Sequence, residues 1–315
     1  MRILSFGSLN TDYVYQVPHI LRGGETLSST ARNVYCGGKG LNQSIAMARA
    51  GADVYHAGAV GEGDGEALIA ALAESGVHTD GIARLHGTSS GHTVIQVASD
   101  GQNCILLFGG ANRLITETMA EGMLAPFAAG DILVLQNEIS ALSEIMRIAA
   151  QKGMRIVLNP SPADENLALL PLMLVDTFVL NEVEAEVLTD QTYAKQQMEA
   201  LSERFPHAEI LLTLGKDGCL YQNGQCGERY SQKAYVVAAV DTTAAGDTFL
   251  GYFVARRAAG ASVETALQLA TAAATLCVLH EGAAPSIPMM EQVDSFCRNA
   301  RTQEGMEEKE GDSVL

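Results

Sequence analysis

The chain has no tryptophan in 315 residues, and only 5% of it is aromatic. So thin an aromatic stock disfavours a pocket built on base stacking. Positive charge is scarce as well: 20 Lys and Arg stand against 37 Asp and Glu, a formal charge of -17 at pH 7. That balance excludes an extended nucleic-acid or anionic-membrane surface, and it obliges any phosphorylated ligand to find a local positive site. No apolar run approaches the ~18 residues of a membrane helix. The six cysteines, Cys36, Cys104, Cys219, Cys226, Cys277 and Cys297, include no C-x-x-C pair, and no secretory apolar stretch follows Met1. Reduced thiols in a cytoplasmic protein are the expectation. A Walker A loop is also missing, because Lys39 is followed by Gly40 and not by Ser or Thr.

What is present is 47% hydrophobic residues, laid out in a βα rhythm. The runs at 132–135, 155–158, 177–180 and 209–214 are apolar on both faces, and helix-period segments such as 142–151 lie between strands. This pattern predicts an α/β fold with a mostly parallel sheet covered by helices on both faces. A hairpin at 92–107, turning at Asp100-Gly101, interrupts the rhythm. It is expected to leave the main sheet and pair with an early strand at 13–17 as a small accessory β-sheet, the segments at about 10–35 and 90–109 together forming a lid. Asn10 and Asp12 fall where a turn between strands is the ordinary reading. Residues 1–300 fit one α/β domain, and the acidic tail at 302–315 is expected to be disordered.

Chemistry concentrates in a few stretches. An apolar, β-branched run at 235–240 leads into Asp241-Thr242-Thr243-Ala244-Ala245-Gly246-Asp247 and then an apolar helix. Small residues entering a helix leave its first N–H groups free at the positive end of the macrodipole, which makes an anion site of Ala244, Ala245 and Gly246. A carboxylate there repels phosphate, so Asp247 makes sense as the proton acceptor for a hydroxyl attacking that phosphate. A glycine turn, Cys36-Gly37-Gly38-Lys39-Gly40-Leu41-Asn42, opens an Ala-rich helix. It is either an ordinary tight turn or a backbone cradle for a small polar ligand, with Lys39 and Asn42 as hydrogen-bonding side chains. Glu138 lies just past the carboxyl end of a buried strand, where open α/β sheets bind ligands. Asn181 and Glu184 read either as helix capping or as holders of hydrated Mg²⁺.

The two glycine and small-residue motifs, taken together in a chain of this length, resemble the two signatures of the ribokinase or PfkB family of sugar and nucleoside kinases. The resemblance spans roughly residues 2–300. It implies a ribokinase-like fold and ATP-dependent phosphorylation of a sugar primary hydroxyl, D-ribose to D-ribose 5-phosphate ahead of deoxyribose, a hexose or a nucleoside; a non-catalytic sugar-binding regulator is the reading from another class. Asn10, Asp12, Gly38, Lys39, Asn42 and Glu138 match the family's sugar ligands. Asn181, Thr213, Gly215, Gly218 and Thr271 match its nucleotide side, and Glu184 its Mg²⁺ motif, acting through water. A monovalent-cation (K⁺) site is implied at Asp241, Thr243, Cys277, His280, Gly282 and Ser286. The resemblance also implies a homodimer formed through the lid.

Overall fold

The computed structural model describes residues 1–311, with side chains described for residues 1–300. In chain order the elements are β1 (Ile3–Phe6), β2 (Asn10–Val17), β3 (Ala31–Gly37), α1 (Lys39–Arg49), β4 (Val54–Gly61), α2 (Glu66–Glu74) and β5 (His78–Leu85). There follow β6 (Gly91–Ala98), β7 (Asn103–Phe108), α3 (Glu117–Leu124), β8 (Ile132–Gln136), α4 (Leu142–Gln151), β9 (Arg155–Asn159) and β10 (Thr177–Asn181). The remainder comprises α5 (Glu182–Thr189), α6 (Ala194–Arg204), β11 (Glu209–Thr213), β12 (Cys219–Asn223), β13 (Arg229–Gln232), α7 (Ala245–Ala258), α8 (Val263–Cys277) and α9 (Met290–Gly311). Helix α9 runs on to Gly311, into the tail at 302–315 that was expected to be disordered, and residues 312–315 lie outside the described residues.

The main sheet runs β13-β12-β11-β10-β9-β8-β1-β4-β5. Its strands from β11 to β5 are parallel, with β12 and β13 added antiparallel at one edge. Alternate residues of each central strand go to opposite cores, as the two-residue strand period requires. Ile132 and Val134 join Leu41, Ile45, Phe249, Phe253 and Leu267 beneath α1, α2, α7, α8 and α9. Leu133 and Leu135 join Leu124, Ile145, Leu188 and Leu201 beneath α3 to α6. Each fully buried Leu, Ile or Phe in these layers contributes about 1.5–3 kcal/mol relative to exposure. The doubly covered parallel sheet read from the apolar strand runs is therefore present.

A second sheet, β3-β2-β6-β7, stands apart from the first. Strand β2 pairs antiparallel with β3 and parallel with β6, and β6 pairs antiparallel with β7. The 92–107 hairpin thus joins the early strand, as the sequence pattern predicts. That strand, however, begins at Asn10, so Asn10 and Asp12 belong to β2 and not to a turn. Hydrogen bonding on both sides of β2 overrides the turn preference of Asn and Asp. Two further differences have similar causes. Strand β5 escapes a periodicity reading because its apolar residues do not alternate cleanly. The run at 235–240 forms no strand, and Val236 and Val240 are exposed.

The chain order reverses direction across the sheet at β1, which has β8 on one side and β4 on the other. Ligands of open α/β sheets bind at such a switch point, outside the carboxyl ends of the strands. The residues leaving β1, β8, β9, β10 and β11 are therefore the ones that build a site here. Among the described residues, no helix is long and apolar enough to cross a membrane.

Candidate active site

Asn10, Asp12, Lys39, Asn42 and Glu138 converge at the β1/β8 switch point. The turn after β1 is stitched to the start of α1, with the Leu41 N–H donating to the Ser8 carbonyl at 3.0 Å and the Gly40 N–H to Ser8 Oγ at 3.3 Å. This approach requires glycine, because a Cβ at position 40 would lie 2.4 Å from the Ser8 nitrogen. The Ser8 hydroxyl donates to Glu138, which also accepts from the Lys39 N–H at 3.3 Å. Asn10 is 2% exposed, and its Oδ1 accepts from Asn112 Nδ2 at 2.8 Å. Asp12 accepts from the Thr93 hydroxyl at 2.6 Å. Facing it on β3 is Gly37, where a Cβ would lie 1.9 Å from Asp12 Oδ2.

The electrostatics follow from crowding. Burial pushes the Asp12 carboxyl up to about 6 against the Thr93 hydrogen bond, with Glu138 and Asp247 adding to the rise. Burial also raises Glu138, although Lys39 and the Ser8 hydroxyl oppose it. For the Lys39 ammonium, burial works against the charge, but Asp247, Glu138 and Glu184 together hold it above the ordinary lysine value. Lys39 therefore stays charged, a buried positive group among the carboxylates of Asp247, Glu138 and Glu184.

Asp247 sits in the first turn of α7, 8% exposed. Its Oδ2 accepts from Asn42 Nδ2 at 3.1 Å and its Oδ1 from Gln43 Nε2 at 2.9 Å. The other end of the Asn42 amide, Oδ1, is buried with no partner, so it is free to accept a ligand hydroxyl. Helix α7 is entered through Ala244 at φ 60°, and no side chain caps it. A left-handed alanine is strained by about 1–2 kcal/mol, and such strain persists where the surroundings impose it. The Ala245 N–H reaches the Thr242 carbonyl at 3.3 Å. No side chain caps the first-turn N–H groups of α7, which stand at the positive end of the helix, where a negative group is favoured.

The next strand ends continue the line. Asn181 and Glu184 form a reciprocal capping box at the start of α5, with the Glu184 N–H bonded to Asn181 Oδ1 at 2.9 Å and Glu184 Oε2 accepting the Asn181 N–H at 3.0 Å. Asn159 Nδ2 reaches the same Oε2 at 3.3 Å. Glu184 is 5% exposed and forms no ion pair among the described residues. A buried carboxylate met only by neutral amide donors suits a cation held through water. Beyond it, Thr213 closes β11 with its hydroxyl 3.3 Å from the Leu180 carbonyl, and Gly215 and Gly218 bend the following loop at φ 54° and 99°. Thr271 lies on α8, buried beside the Cys219 thiol. From β1 to β11 is four strand spacings, about 19 Å, a span suited to a sugar at one end and a nucleotide at the other.

Five of the six expected cation-site residues also come together. Asp241 accepts from the Thr243 N–H at 2.9 Å, the Thr243 hydroxyl at 2.6 Å and the Gly282 N–H at 3.0 Å. Burial works to raise its carboxyl, but these donors hold it below the ordinary carboxylate range. Cys277 Sγ lies 3.6 Å from the Thr243 carbonyl and 3.1 Å from the Ser286 hydroxyl. His280 differs, with an exposed residue whose backbone N–H meets the Cys277 carbonyl at 3.2 Å.

Comparison with known proteins bears directly on this arrangement. The family described as pfkB family carbohydrate kinase matches residues 1–290. The chain belongs to that family. The ribokinase of Haemophilus influenzae is 35% identical over 301 residues, covering 93% of this chain and 97% of its own length. A crystal structure of ribokinase from Cryptococcus neoformans in complex with ADP superposes with a TM-score of 0.83 at 34% identity, covering 93% of this chain and 99% of its own. The ribokinase of Arabidopsis thaliana complexed with ribose and ATP gives a TM-score of 0.81 at 29% identity, with 94% and 97% covered. As a pfkB-family carbohydrate kinase the chain is a sugar kinase, and the ribokinase-like fold expected from the two motifs is established.

Sequence reasoning missed several residues that this kinase places in the cluster. Gln43 adjoins the glycine motif, Gln136 and Asn159 end strands already read as buried, and Asn112 follows a Gly-Ala pair. Each carries an uncharged amide, and its only local signal is its position at a strand or helix end.

Proposed function

We propose that the chain transfers the γ-phosphoryl group of ATP to the primary hydroxyl of D-ribose, giving D-ribose 5-phosphate, with Asp247 as general base. The observation that carries this reading is a buried carboxylate, held by two amides, in the first turn of an uncapped helix. Asn10, Asp12, Gly38, Lys39, Asn42 and Glu138 hold the sugar, whose hydroxyls satisfy the unpartnered Asn42 Oδ1. Asp247 accepts the hydroxyl proton as in-line transfer proceeds. The N–H groups of Ala244 to Asp247 and the Lys39 ammonium stabilise charge on the transferring phosphoryl group. Asn181, Thr213, Gly215, Gly218 and Thr271 line the nucleotide side.

Glu184, with Asn181 beside it, would hold Mg²⁺ through water, since no cluster among the described residues offers three direct ligands and this ion keeps most of its waters. When bound, it supplies charge neutralisation on the phosphates. The hard oxygen donors at Asp241, Thr243 and Ser286, with Cys277, His280 and Gly282 contributing backbone, suit a monovalent cation such as K⁺ beside the anion hole. The small sheet would close over the sugar and exclude water from the phosphoryl group. Its edge strand β7 is exposed throughout, with Ile105 at 57% and Leu106 at 70%. An apolar unpaired edge invites pairing with a second copy, so a homodimer through the lid is part of the proposal. Sedimentation as a monomer at micromolar concentration contradicts that part.

Coupled ADP release with D-ribose, 2-deoxyribose, hexoses and nucleosides tests the function. Ribose is expected to give the highest kcat/KM; a preference for any other acceptor overturns the substrate assignment. A pH dependence follows from Asp12. A carboxyl pushed up to about 6 is ionised above that pH, where it accepts hydrogen bonds from sugar hydroxyls, and neutral below it. The kcat/KM for ribose is therefore expected to fall below pH 6, and Asp12→Asn removes that limb while raising KM. A limb that persists in the variant assigns it to another group.

A further inference from the structure

Gln43 donates through Nε2 to Asp247 Oδ1 at 2.9 Å and to Asn159 Oδ1 at 3.3 Å, while its Oε1 accepts from Gln136 Nε2 at 2.7 Å. Each Nε2 hydrogen has an acceptor. Asn159 in turn gives its two Nδ2 hydrogens to the Val179 carbonyl at 2.9 Å and to Glu184 Oε2 at 3.3 Å. The orientation of this chain of amides is fixed from one end. A carboxylate only accepts, so Asp247 dictates that Gln43 presents nitrogen to it; the Gln43 carbonyl then dictates that Gln136 presents nitrogen in its turn. Gln136 Oε1 is left buried without a partner, which shows that the network is ordered by Asp247 and not by the needs of Gln136.

We propose that Gln43 is a positioning residue for the phosphoryl transfer, holding the Asp247 carboxylate in register with the anion hole and tying it through Asn159 to Glu184. The inference rests on the reading of Asp247 as general base. Its logic is geometric. Asn42 and Gln43 each take one lone pair of a different Asp247 oxygen, which leaves the carboxylate a single orientation from which to receive the hydroxyl proton. Asn42 keeps an unpartnered Oδ1, but Gln43 is wholly buried at 0% exposure with every amide group engaged by Asp247 and by Asn159 and Gln136 at the strand ends. Among the carboxylates it bonds Asp247 directly, and it reaches Glu184 only through Asn159. The charged groups that act electrostatically with Asp247 are Lys39, Asp12 and Glu138, with the Cys277 thiol also within its influence. None of these takes the hydrogen-bonding place of Gln43.

The test compares Gln43→Leu and Gln43→Glu with the parent, reading kcat, the KM for ribose, and ribose affinity by titration calorimetry. Gln43→Leu is expected to lower kcat by about 10–10²-fold, the scale of a displacement of about 1 Å at a reacting group. Ribose KM and calorimetric affinity stay within about threefold, since the base contributes to transfer and not to ground-state binding. Gln43→Glu keeps the shape but sets a carboxylate against Asp247, and is expected to be at least as slow as Gln43→Leu. A role in packing alone predicts the reverse order, because Glu fills the same space. Should Gln43→Leu fail to fold, Gln136→Leu removes the donor that anchors the Gln43 carbonyl, leaves Gln43 held from the Asp247 side alone, and is expected to lower kcat by about 3–10-fold with ribose affinity kept. Asp247→Asn run in parallel separates the two levels. If that variant is inactive while Gln43→Leu keeps the parent kcat, or loses kcat and ribose affinity together, the positioning role is overturned alone. If Asp247→Asn turns over normally, the role falls with the reading beneath it.

Discussion

Asp247→Asn is expected to lower kcat by about 10²–10⁴-fold and to leave ribose affinity close to that of the parent. The structure explains why the protein survives the change. The new Asn oxygen keeps the 2.9 Å acceptor role toward Gln43, and its nitrogen meets Asn42, whose amide turns over and donates to the sugar hydroxyl from which its oxygen would otherwise accept. Packing around α7 is untouched, since Phe249, Phe253 and Tyr252 remain in the core. What disappears is the lone pair that receives the hydroxyl proton. Steady-state ADP release alongside ribose calorimetry reads both halves of this expectation. Turnover within about tenfold of the parent removes Asp247 from the role of base.

Gly40→Ala is expected to be the most damaging single methyl in the sugar site. The added Cβ would stand 2.4 Å from the Ser8 nitrogen and 2.5 Å from the Gly7 carbonyl carbon. Both are backbone atoms, which cannot swing aside as the end of a flexible side chain can. Helix α1 must lift away from the turn, breaking the Leu41 N–H bond to Ser8 and pulling Ser8 off Glu138. A loss of about 1–3 kcal/mol in stability is expected from the overpacking. A fall of about 10²-fold in kcat/KM follows from the displaced sugar ligands. Gly122→Ala is the comparison: a Cβ there meets nothing within 4 Å, and a helical alanine is favoured over glycine by roughly 0.5–1 kcal/mol. Denaturant melts and ribose kinetics on the two variants check the contrast. Parent-like kinetics in Gly40→Ala contradict the close approach.

Much of this architecture was legible before any coordinates. The strands at 132–135 and 155–158 announced a doubly covered parallel sheet because continuous apolar runs have no other stable place. The departure of the 92–107 hairpin from the βα rhythm announced a second sheet. The small residues before Asp247 announced an uncapped helix entry, and that entry is found at Ala244. In each case the cause is local, a matter of period, side-chain size or terminal polarity within about ten residues.

Other features were beyond local reading. Asn10 and Asp12 carry turn propensity, yet two neighbouring strands make them part of β2. The apolar run at 235–240 has strand composition but no partner strand, and stays irregular. Nothing in the neighbourhood of Gln43 separates it from a solvated glutamine. Its partners are Gln136, Asn159 and Asp247, separated from it by 93, 116 and 204 residues.

The sequence by itself determined the fold class, the uncapped small-residue helix entry with its carboxylate, and the family to which the chain belongs, because periodicity and the absence of bulky side chains act over short stretches of chain. Only the tertiary structure decided which amides hold that carboxylate. The physical reason is that a neutral amide has no preferred place until it is buried, and burial then obliges each of its hydrogens to find an acceptor that the distant parts of the chain supply.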